Sequence, residues 1–389
     1  MLNILWGYSM DFRTYKNSEE KISLLGFGCM RLPVLNEKQS DIDIVKAQEM
    51  VDYAISHGVN YFDTAYVYHE EQSENFIGEA LSKYPRTSFN LASKMPTWSI
   101  TCKDDVERIF DEQLKKCRVD YFDYYLIHNL SEETFKICQN NDIYALLKEK
   151  QKAGKIRRLG FSFHDRPEIL QQIIQSYSWD FAQIQLNYFD WEHQDAKLQY
   201  ELLYNNNIPI VIMEPVRGGN LAELCEDSVK IFKAQQPNLS VASWALRYVA
   251  SLPGILTVLS GMSELSQVED NVKTVSDFKP LVSSDYETIE KALTQYRLAG
   301  AVPCTACRYC MDCPSGVEIP KVFAIYNRHK TLNNAFLFGF EYKLLGKDRQ
   351  AHHCVSCNVC KEHCPQGIDI PGEMKTISLF AEKMLASEE

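Results

Sequence analysis

The chain has 389 residues, 45% of them apolar and 24% charged, a length beyond one ordinary core and a composition that excludes disordered and fibrous classes. Its formal net charge of −11 is the reverse of the basic face that proteins wrapping nucleic acid present, so no nucleic-acid partner is expected. The most apolar stretch, VASWALRYVASLPGILTVLSG, is broken by Arg247, Pro253 and Gly254 before it reaches membrane-spanning length, and no secretory signal is readable; a cytoplasmic protein with no membrane partner is expected.

Met10 opens MDFRTYKN, which reads as the start of an N-terminal hairpin, making MLNILWGYS an upstream extension or a misassigned start. Strand candidates then follow in order: ISLLGFG, NYFDTA, FNLASK, YFDYYLIH, IRRLGFSF, FAQIQL, IPIVIM and ILTVLSG. Helical periodicity separates them, as in DIVKAQEMVDYAISHG and ALLKEKQKAGK. Eight strand-helix units predict an α/β fold of the (β/α)8 TIM-barrel class. The competing doubly wound sheet would be expected to carry G-x-G-x-x-G at its first turn, and here only GFG stands there.

Polar residues recur at the ends of these strands: Asp63, Lys94, His128 and Ser162, with Gln183 inside the sixth strand and MEPVRGGN after the seventh. A barrel brings such ends to one rim, where enzymes of this class build their sites. Each residue alone could be a solvated strand end; the set together points to a site.

The segments NYFDTAYVY, NLASK and YYLIH resemble those of the aldo-keto reductases, over roughly residues 11–300. The resemblance implies a catalytic tetrad of Asp63, Tyr68, Lys94 and His128, acting on a small-molecule carbonyl or alcohol substrate. Carbonyl reduction needs an acid where the alkoxide develops. Tyr68 would supply it, Lys94 lowering a phenol whose ordinary pKa is about 10, Asp63 holding the lysine and His128 positioning the substrate oxygen. The same resemblance maps NAD(P)H contacts onto Ser162 and Gln183 for the carboxamide, Gly218 and Gly219 for the pyrophosphate, and Asn271 on the adenine side. Met213 stands where the family commonly stacks an aromatic residue, and Phe163 where an Asn is usual. Gly261 and Gln267 replace the Lys and Arg of NADPH-preferring members, which weakens the expected discrimination between NADPH and NADH.

Thirteen cysteines occur, of which Cys29, Cys102, Cys117, Cys138 and Cys225 are scattered. The others form two runs, Cys304, Cys307, Cys310, Cys313 and Cys354, Cys357, Cys360, Cys364, closed by the near-identical octets CPSGVEIP and CPQGIDIP. Four cysteines in one tight loop followed by proline match ferredoxin-type ligation, whereas structural zinc pairs two separated C-x2-C units. In two-cluster ferredoxins the fourth cysteine of each run serves the other cluster. Two 4Fe-4S clusters are therefore expected, one on Cys304, Cys307, Cys310 and Cys364, the other on Cys354, Cys357, Cys360 and Cys313. Helical spacing in IPKVFAIYNRHK and NAFLFGFEYKLL predicts a small, mainly helical ferredoxin-like domain over residues 301–389, after a barrel domain over 1–300. Chains of the aldo-keto reductase type with such an extension form a recognisable subgroup, which this chain resembles.

Nicotinamide moves two electrons as hydride and a cluster moves one, so direct exchange calls for an intermediary such as a flavin, for which no motif is readable. Three readings stand. The protein is a nicotinamide-dependent oxidoreductase whose clusters relay electrons to or from an external one-electron donor or acceptor protein; or a carbonyl reductase with structural or oxygen-sensing clusters; or a redox-sensing or electron-carrier protein on a non-catalytic barrel.

Overall fold

The computed structural model describes residues 9–16, 18–36, 38–311, 313–332 and 334–386, so most of MLNILWGYS lies outside the described residues. Packing divides the chain into two compact units: residues through Pro215 with Ala245–Leu281, and Val216–Trp244 with residues from Val282 onward. Two stretches upstream of Gly300, Val216–Trp244 and the helix Ser283–Ala299, thus group with the second unit.

The first unit opens with an antiparallel hairpin of β1 (Phe12–Thr14) and β2 (Lys21–Ser23). A closed parallel barrel follows, formed by β3 (Leu25–Gly28), β4 (Tyr61–Asp63), β5 (Asn90–Pro96), β6 (Phe122–Leu130), β7 (Ile156–Phe163), β8 (Phe181–Gln185), β9 (Ile210–Met213) and β10 (Ile255–Gly261). The strands pair in chain order and β10 closes on β3. This is the expected α/β barrel, with one correction: ISLLGFG is two strands. Ser23 belongs to the hairpin, and its hydroxyl donates to the Leu25 carbonyl over 2.7 Å, turning the backbone between the two ladders. The hairpin contributes Tyr15 and Ile22 to the barrel interior, where they pack with Tyr61, Tyr124 and Phe181. Tyr124 meets Tyr61 and Phe181 edge-on, each at 5.0 Å between ring centres, an arrangement aromatic quadrupoles favour. At the wall, buried Asp123 on β6 accepts from the Leu91 amide on β5 at 2.9 Å and from Arg86 at 2.6 Å, tying the two strands that carry Lys94 and His128.

In the second unit the helices Glu226–Gln235 and Ser283–Ala299 are joined by Ser228, whose hydroxyl donates to the Ala292 carbonyl at 2.7 Å. Helices Ile319–Leu332, Ala335–Leu344 and Ile370–Ala386 enclose a core of Val322, Phe323, Phe338, Tyr342, Met374 and Ile377, against which Cys304, Cys313, Cys354 and Cys364 pack. Asn327 clamps the entry to the first cysteine run, accepting from the Val302 amide at 2.7 Å and donating to its carbonyl at 2.8 Å. Pro320 and Pro371 lie in the first turns of their helices, where a missing N–H costs nothing. Among the described residues no helix is long and apolar enough to cross a membrane.

Candidate active site

Strand periodicity assembles the site. Side chains alternate across a strand, so the residue two beyond an interior-facing one also faces the barrel axis, one step nearer the rim. Tyr61, Ala92, Leu126, Phe181 and Val211 line the interior, and two residues beyond them stand Asp63, Lys94, His128, Gln183 and Met213. Ser162 lies beside Gln183 in the ladder between β7 and β8. Tyr68 follows β4 by five residues and is 9% exposed, while Asp63, Lys94 and His128 are almost wholly buried.

Lys94 Nζ donates to Asp63 Oδ1 at 2.6 Å, to the Thr64 carbonyl at 2.7 Å and to the Tyr68 hydroxyl at 3.3 Å. All three ammonium hydrogens thus have acceptors, which a charge at 0% exposure requires. The His128 ring meets that of Tyr68 edge-on at 6.1 Å, and Trp98 leans over it at 5.0 Å. Four residues separated by up to 65 positions therefore form one constellation.

The electrostatics correct one expectation. Burial, followed by the charges of Asp63 and Glu214, pushes the Tyr68 phenol well above its ordinary value, with Arg31 opposing. The nearby Lys94 charge does not outweigh this burial, being balanced by the Asp63 carboxylate at shorter range. Burial likewise raises the Asp63 carboxyl, against the pull of Lys94. Desolvation, aided by Lys94 and His164, holds His128 well below the usual imidazole range, so at neutral pH it is uncharged. The arrangement is a neutral phenol beside a compensated cation and a neutral imidazole. A phenol remains far more acidic than an alcohol, so proton transfer to a developing alkoxide runs downhill without a lowered pKa.

The buried polar atoms left over indicate where a ligand would pair. Among the described residues His128 Nδ1, Asp63 Oδ2 and Gln183 Oε1 have no hydrogen-bond partner. Gln183 Nε2 makes only a long contact of 3.4 Å to Met213 Sδ, and Ser162 Oγ accepts from the Asn129 amide at 2.8 Å. An acceptor at Gln183 aimed at a polar rim fits a carboxamide donor. Asn271 donates to Ser260 Oγ at 2.9 Å beside the end of β10. Gly218 and Gly219 belong to the second unit; Gly218 has φ +66 and packs on Thr305, while the space at Gly219 is open.

Two features at this rim went unread in the sequence. Arg31 and Glu214 pair at 2.5 Å, and a side chain on Gly261 would meet Arg31 Cδ at 3.0 Å, so that glycine makes room for the arginine. Behind Lys94, Ser93 faces the other way and donates to the buried carboxylate of Glu74 at 2.5 Å; Gln113 donates to Glu74 at 2.6 Å and to the Lys94 carbonyl at 3.0 Å. The signal for Glu74 was present only as one acidic residue in a helix, which ordinarily faces water.

In the second unit the cysteine runs interleave. The neighbours acting on Cys310 are Cys307, Cys304 and Cys364, and those acting on Cys360 are Cys354, Cys313 and Cys357. Cys313, Cys354, Cys357 and Cys360 line one cavity with Val317, Ile319 and Met374. Among the described residues no three ligating groups converge on a single-ion position; Cys313, Cys354, Cys357 and Cys360 line a space instead. The two loops repeat each other in backbone. Ala306 and Arg308 are left-handed, as are their counterparts Ser356 and Asn358, and the Gly316 amide donates to the Cys313 carbonyl as the Gly367 amide does to the Cys364 carbonyl, at 3.0 and 3.1 Å. The Ala306 amide donates to Cys304 Sγ at 3.3 Å. Burial pushes the Cys304 and Cys360 thiols up to about 12 and about 11, so ligation must displace protons. Eight soft donors in two groups, partly shielded, with a backbone N–H offered to Cys304, fit iron-sulfur clusters.

A parallel barrel with Asp, Tyr, Lys and His on one rim, in a chain that also carries a helical unit with paired cysteine loops, defines an oxidoreductase with an iron-sulfur module. Residues 24–294 match the model of the Aldo/keto reductase family, and residues 303–368 match a 4Fe-4S dicluster domain. The chain belongs to the aldo/keto reductase family. It is 26% identical over 321 residues to "Uncharacterized oxidoreductase YqkF" of Bacillus subtilis, covering 73% of this chain and 99% of the relative. It is 27% identical over 265 residues to a "Glyoxal reductase" of the same organism, covering 66% and 87%. The solved structure of "aldo-keto reductase AKR11C1 from Bacillus halodurans (holo form)" is similar with TM-score 0.60 and 26% identity, over 73% of this chain and 96% of that one.

Proposed function

We propose that the chain catalyses nicotinamide-dependent reduction of an aldehyde or ketone, or the reverse oxidation, and carries two 4Fe-4S clusters that exchange electrons with an external one-electron carrier protein. The observation that carries the reading is the Tyr68 hydroxyl 3.3 Å from Lys94 Nζ, with the Gln183 acceptor and His128 Nδ1 unsatisfied nearby. The nicotinamide, when bound, supplies hydride to the carbonyl carbon. Tyr68 delivers the proton to the carbonyl oxygen, and neutral His128 donates a hydrogen bond that orients it. Lys94, held by Asp63, keeps a fixed positive charge beside the oxygen as negative charge develops. Ser162 and Gln183 would hold the carboxamide, Met213 would lie against the ring, and Asn271 would serve the adenine side. With Gly261 beside Arg31 and Gln267 bound to the Ser263 amide at 2.8 Å, no cation of the NADPH-preferring pattern stands at those two positions, which weakens discrimination between NADPH and NADH. The similarity to a glyoxal reductase supports a small carbonyl as substrate.

The clusters are held by Cys304, Cys307, Cys310 and Cys364 and by Cys354, Cys357, Cys360 and Cys313. A second reading, purely structural clusters, has in its favour that the cysteines pack into the core of their unit. Anaerobic purification with iron and sulfide analysis, then mixing with NADH or NADPH while cluster absorbance is followed, separates the two. Bleaching only when a one-electron carrier or a flavin is added supports electron relay; steady aldehyde turnover with clusters that no carrier can reduce supports the structural role.

A further inference from the structure

The chain leaves Tyr68 through a left-handed turn. His69, Glu70 and Glu71, none of them glycine, have φ of 53°, 51° and 69° in succession. In that region each side chain crowds the carbonyl that follows it, so such a run persists only where its surroundings impose it. Across the turn the Tyr68 carbonyl accepts from the Ser73 amide at 3.2 Å, and Ser73 opens the helix Ser73–Leu81. The Ser73 hydroxyl donates to the Cys29 carbonyl at 3.2 Å and bonds the Thr64 hydroxyl at 2.9 Å, which closes the base of the loop that begins after β4. The Thr64 carbonyl is in turn an acceptor of the Lys94 ammonium, so one end of this loop is tied to the lysine.

His69 holds the other side. It is 5% exposed, its Nε2 accepts from the Leu32 amide at 3.1 Å, and its Nδ1 lies 3.0 Å from the Gln39 carbonyl. An amide only donates and a carbonyl only accepts, so these partners assign a neutral ring with its proton on Nδ1. Burial acts in the same direction, keeping the imidazole below the ordinary histidine range against the backbone bonds that raise it. Leu32 and Gln39 belong to the loop after β3, so one imidazole joins the loops that follow β3 and β4.

We propose that His69 is a positioning residue for proton transfer: by bonding Leu32 and Gln39 at once, it holds the left-handed turn that sets the Tyr68 hydroxyl 3.3 Å from Lys94. The inference rests on the reading that Tyr68 is the proton donor of a carbonyl reduction. Without the imidazole the Leu32 amide loses its acceptor in a buried place, and the strained turn loses a contact that offsets its cost. Tyr68, the adjacent residue, then shifts, and a displacement of about 1 Å at a reacting group costs on the order of 10²-fold in rate.

The test uses the full-length, cluster-loaded protein, with small aldehydes such as glyoxal reduced by NADH and by NADPH, and with amide exchange of the peptide holding Leu32 followed by mass spectrometry. His69→Ala is expected to lower kcat by about 10²-fold, to leave the KM for the dinucleotide near wild type and to speed exchange at Leu32. His69→Gln, whose amide offers one acceptor and one donor, restores most of kcat and the protection of Leu32. His69→Leu, which fills the space of the ring without its hydrogen bonds, behaves as His69→Ala does and carries the test if the alanine variant does not fold. Wild-type kcat in the folded alanine or leucine variant overturns the proposal. So does a folded glutamine variant as slow as these. Wild type that reduces no aldehyde with either dinucleotide overturns the reading of the site itself, and the proposal falls with it.

Discussion

Lys94 Nζ stands 2.6 Å from Asp63 Oδ1 and farther, at 3.3 Å, from the Tyr68 hydroxyl, so the lysine's charge is compensated by the carboxylate before it reaches the phenol. Tyr68 therefore keeps its proton well past the ordinary tyrosine range, while His128 remains uncharged far below the ordinary histidine range. The rate of carbonyl reduction at saturating substrates is expected to be flat from about pH 6.5 to about pH 10, the unperturbed values of the two side chains. A pH-rate profile checks this. A falling limb between pH 7 and 9 would mean that the lysine does acidify the phenol in the working complex.

Tyr68→Phe removes the proton donor and little else, since the ring still fills its place against His128. Its kcat for reduction should fall by about 10²–10⁴-fold, the usual worth of a positioned acid. Dinucleotide binding, measured by fluorescence quenching, should stay near wild type. Full turnover in the variant is incompatible with the assigned role.

Asp63→Asn leaves a fully buried ammonium without its counter-charge. Breaking a buried pair in this way costs about 3–5 kcal/mol, whereas replacing both partners by neutral groups costs less. Urea unfolding should accordingly rank the double variant Asp63→Asn with Lys94→Met above Asp63→Asn alone. The reverse order would show that the pair contributes little to the barrel.

Glu74 is raised by burial to about 6 from an ordinary 4.5, against hydrogen bonds from Ser93 and Gln113. A carboxyl whose folded pKa exceeds its unfolded value binds its proton more tightly in the native state. Its contribution to stability is therefore complete below pH 4.5 and is lost as pH rises through 6, a difference of roughly 2 kcal/mol. Glu74→Gln should flatten this component, raising barrel stability at pH 7.5 relative to its own value at pH 4.5. Unfolding curves for both proteins at the two pH values give the answer; parallel pH dependence would contradict the assignment.

The interleaving of cysteines predicts which substitutions resemble each other. Cys313→Ala should disturb the same resonance signal as Cys354→Ala, and Cys364→Ala the same as Cys304→Ala, each leaving about four irons per chain in the other cluster. Electron paramagnetic resonance with iron analysis decides it. Pairing within each run, Cys313 with Cys304 and Cys364 with Cys354, would show that the loops do not cross.

Much of the site could be read before any fold was known, because its positions obey local rules. Asp63, Lys94, His128 and Gln183 are each two residues past an apolar interior position, and the alternation of a strand alone sends them to one end of the barrel. The cysteine spacing, with the repeated CPxG turn, is likewise a local pattern, reflected in the matched left-handed residues of both loops. What escaped the linear reading concerns partners far apart in the chain. Arg31 meets Glu214 across 183 positions, and Arg217 meets Gln366 across 149. Glu74 in its helix resembled a solvated charge, its partners Ser93 and Gln113 lying 19 and 39 positions away.

Residue order thus specified which side chains reach the rim and which thiols are available, since strand alternation and turn chemistry act within a few residues. Only the folded chain decided how those groups are paired and shifted: the raised phenol of Tyr68, the lowered imidazole of His128 and the bond from Arg217 to Gln366 all depend on burial and on partners brought together over long separations. Desolvation and Coulomb attraction depend on distance in space, and a linear sequence carries no such distance.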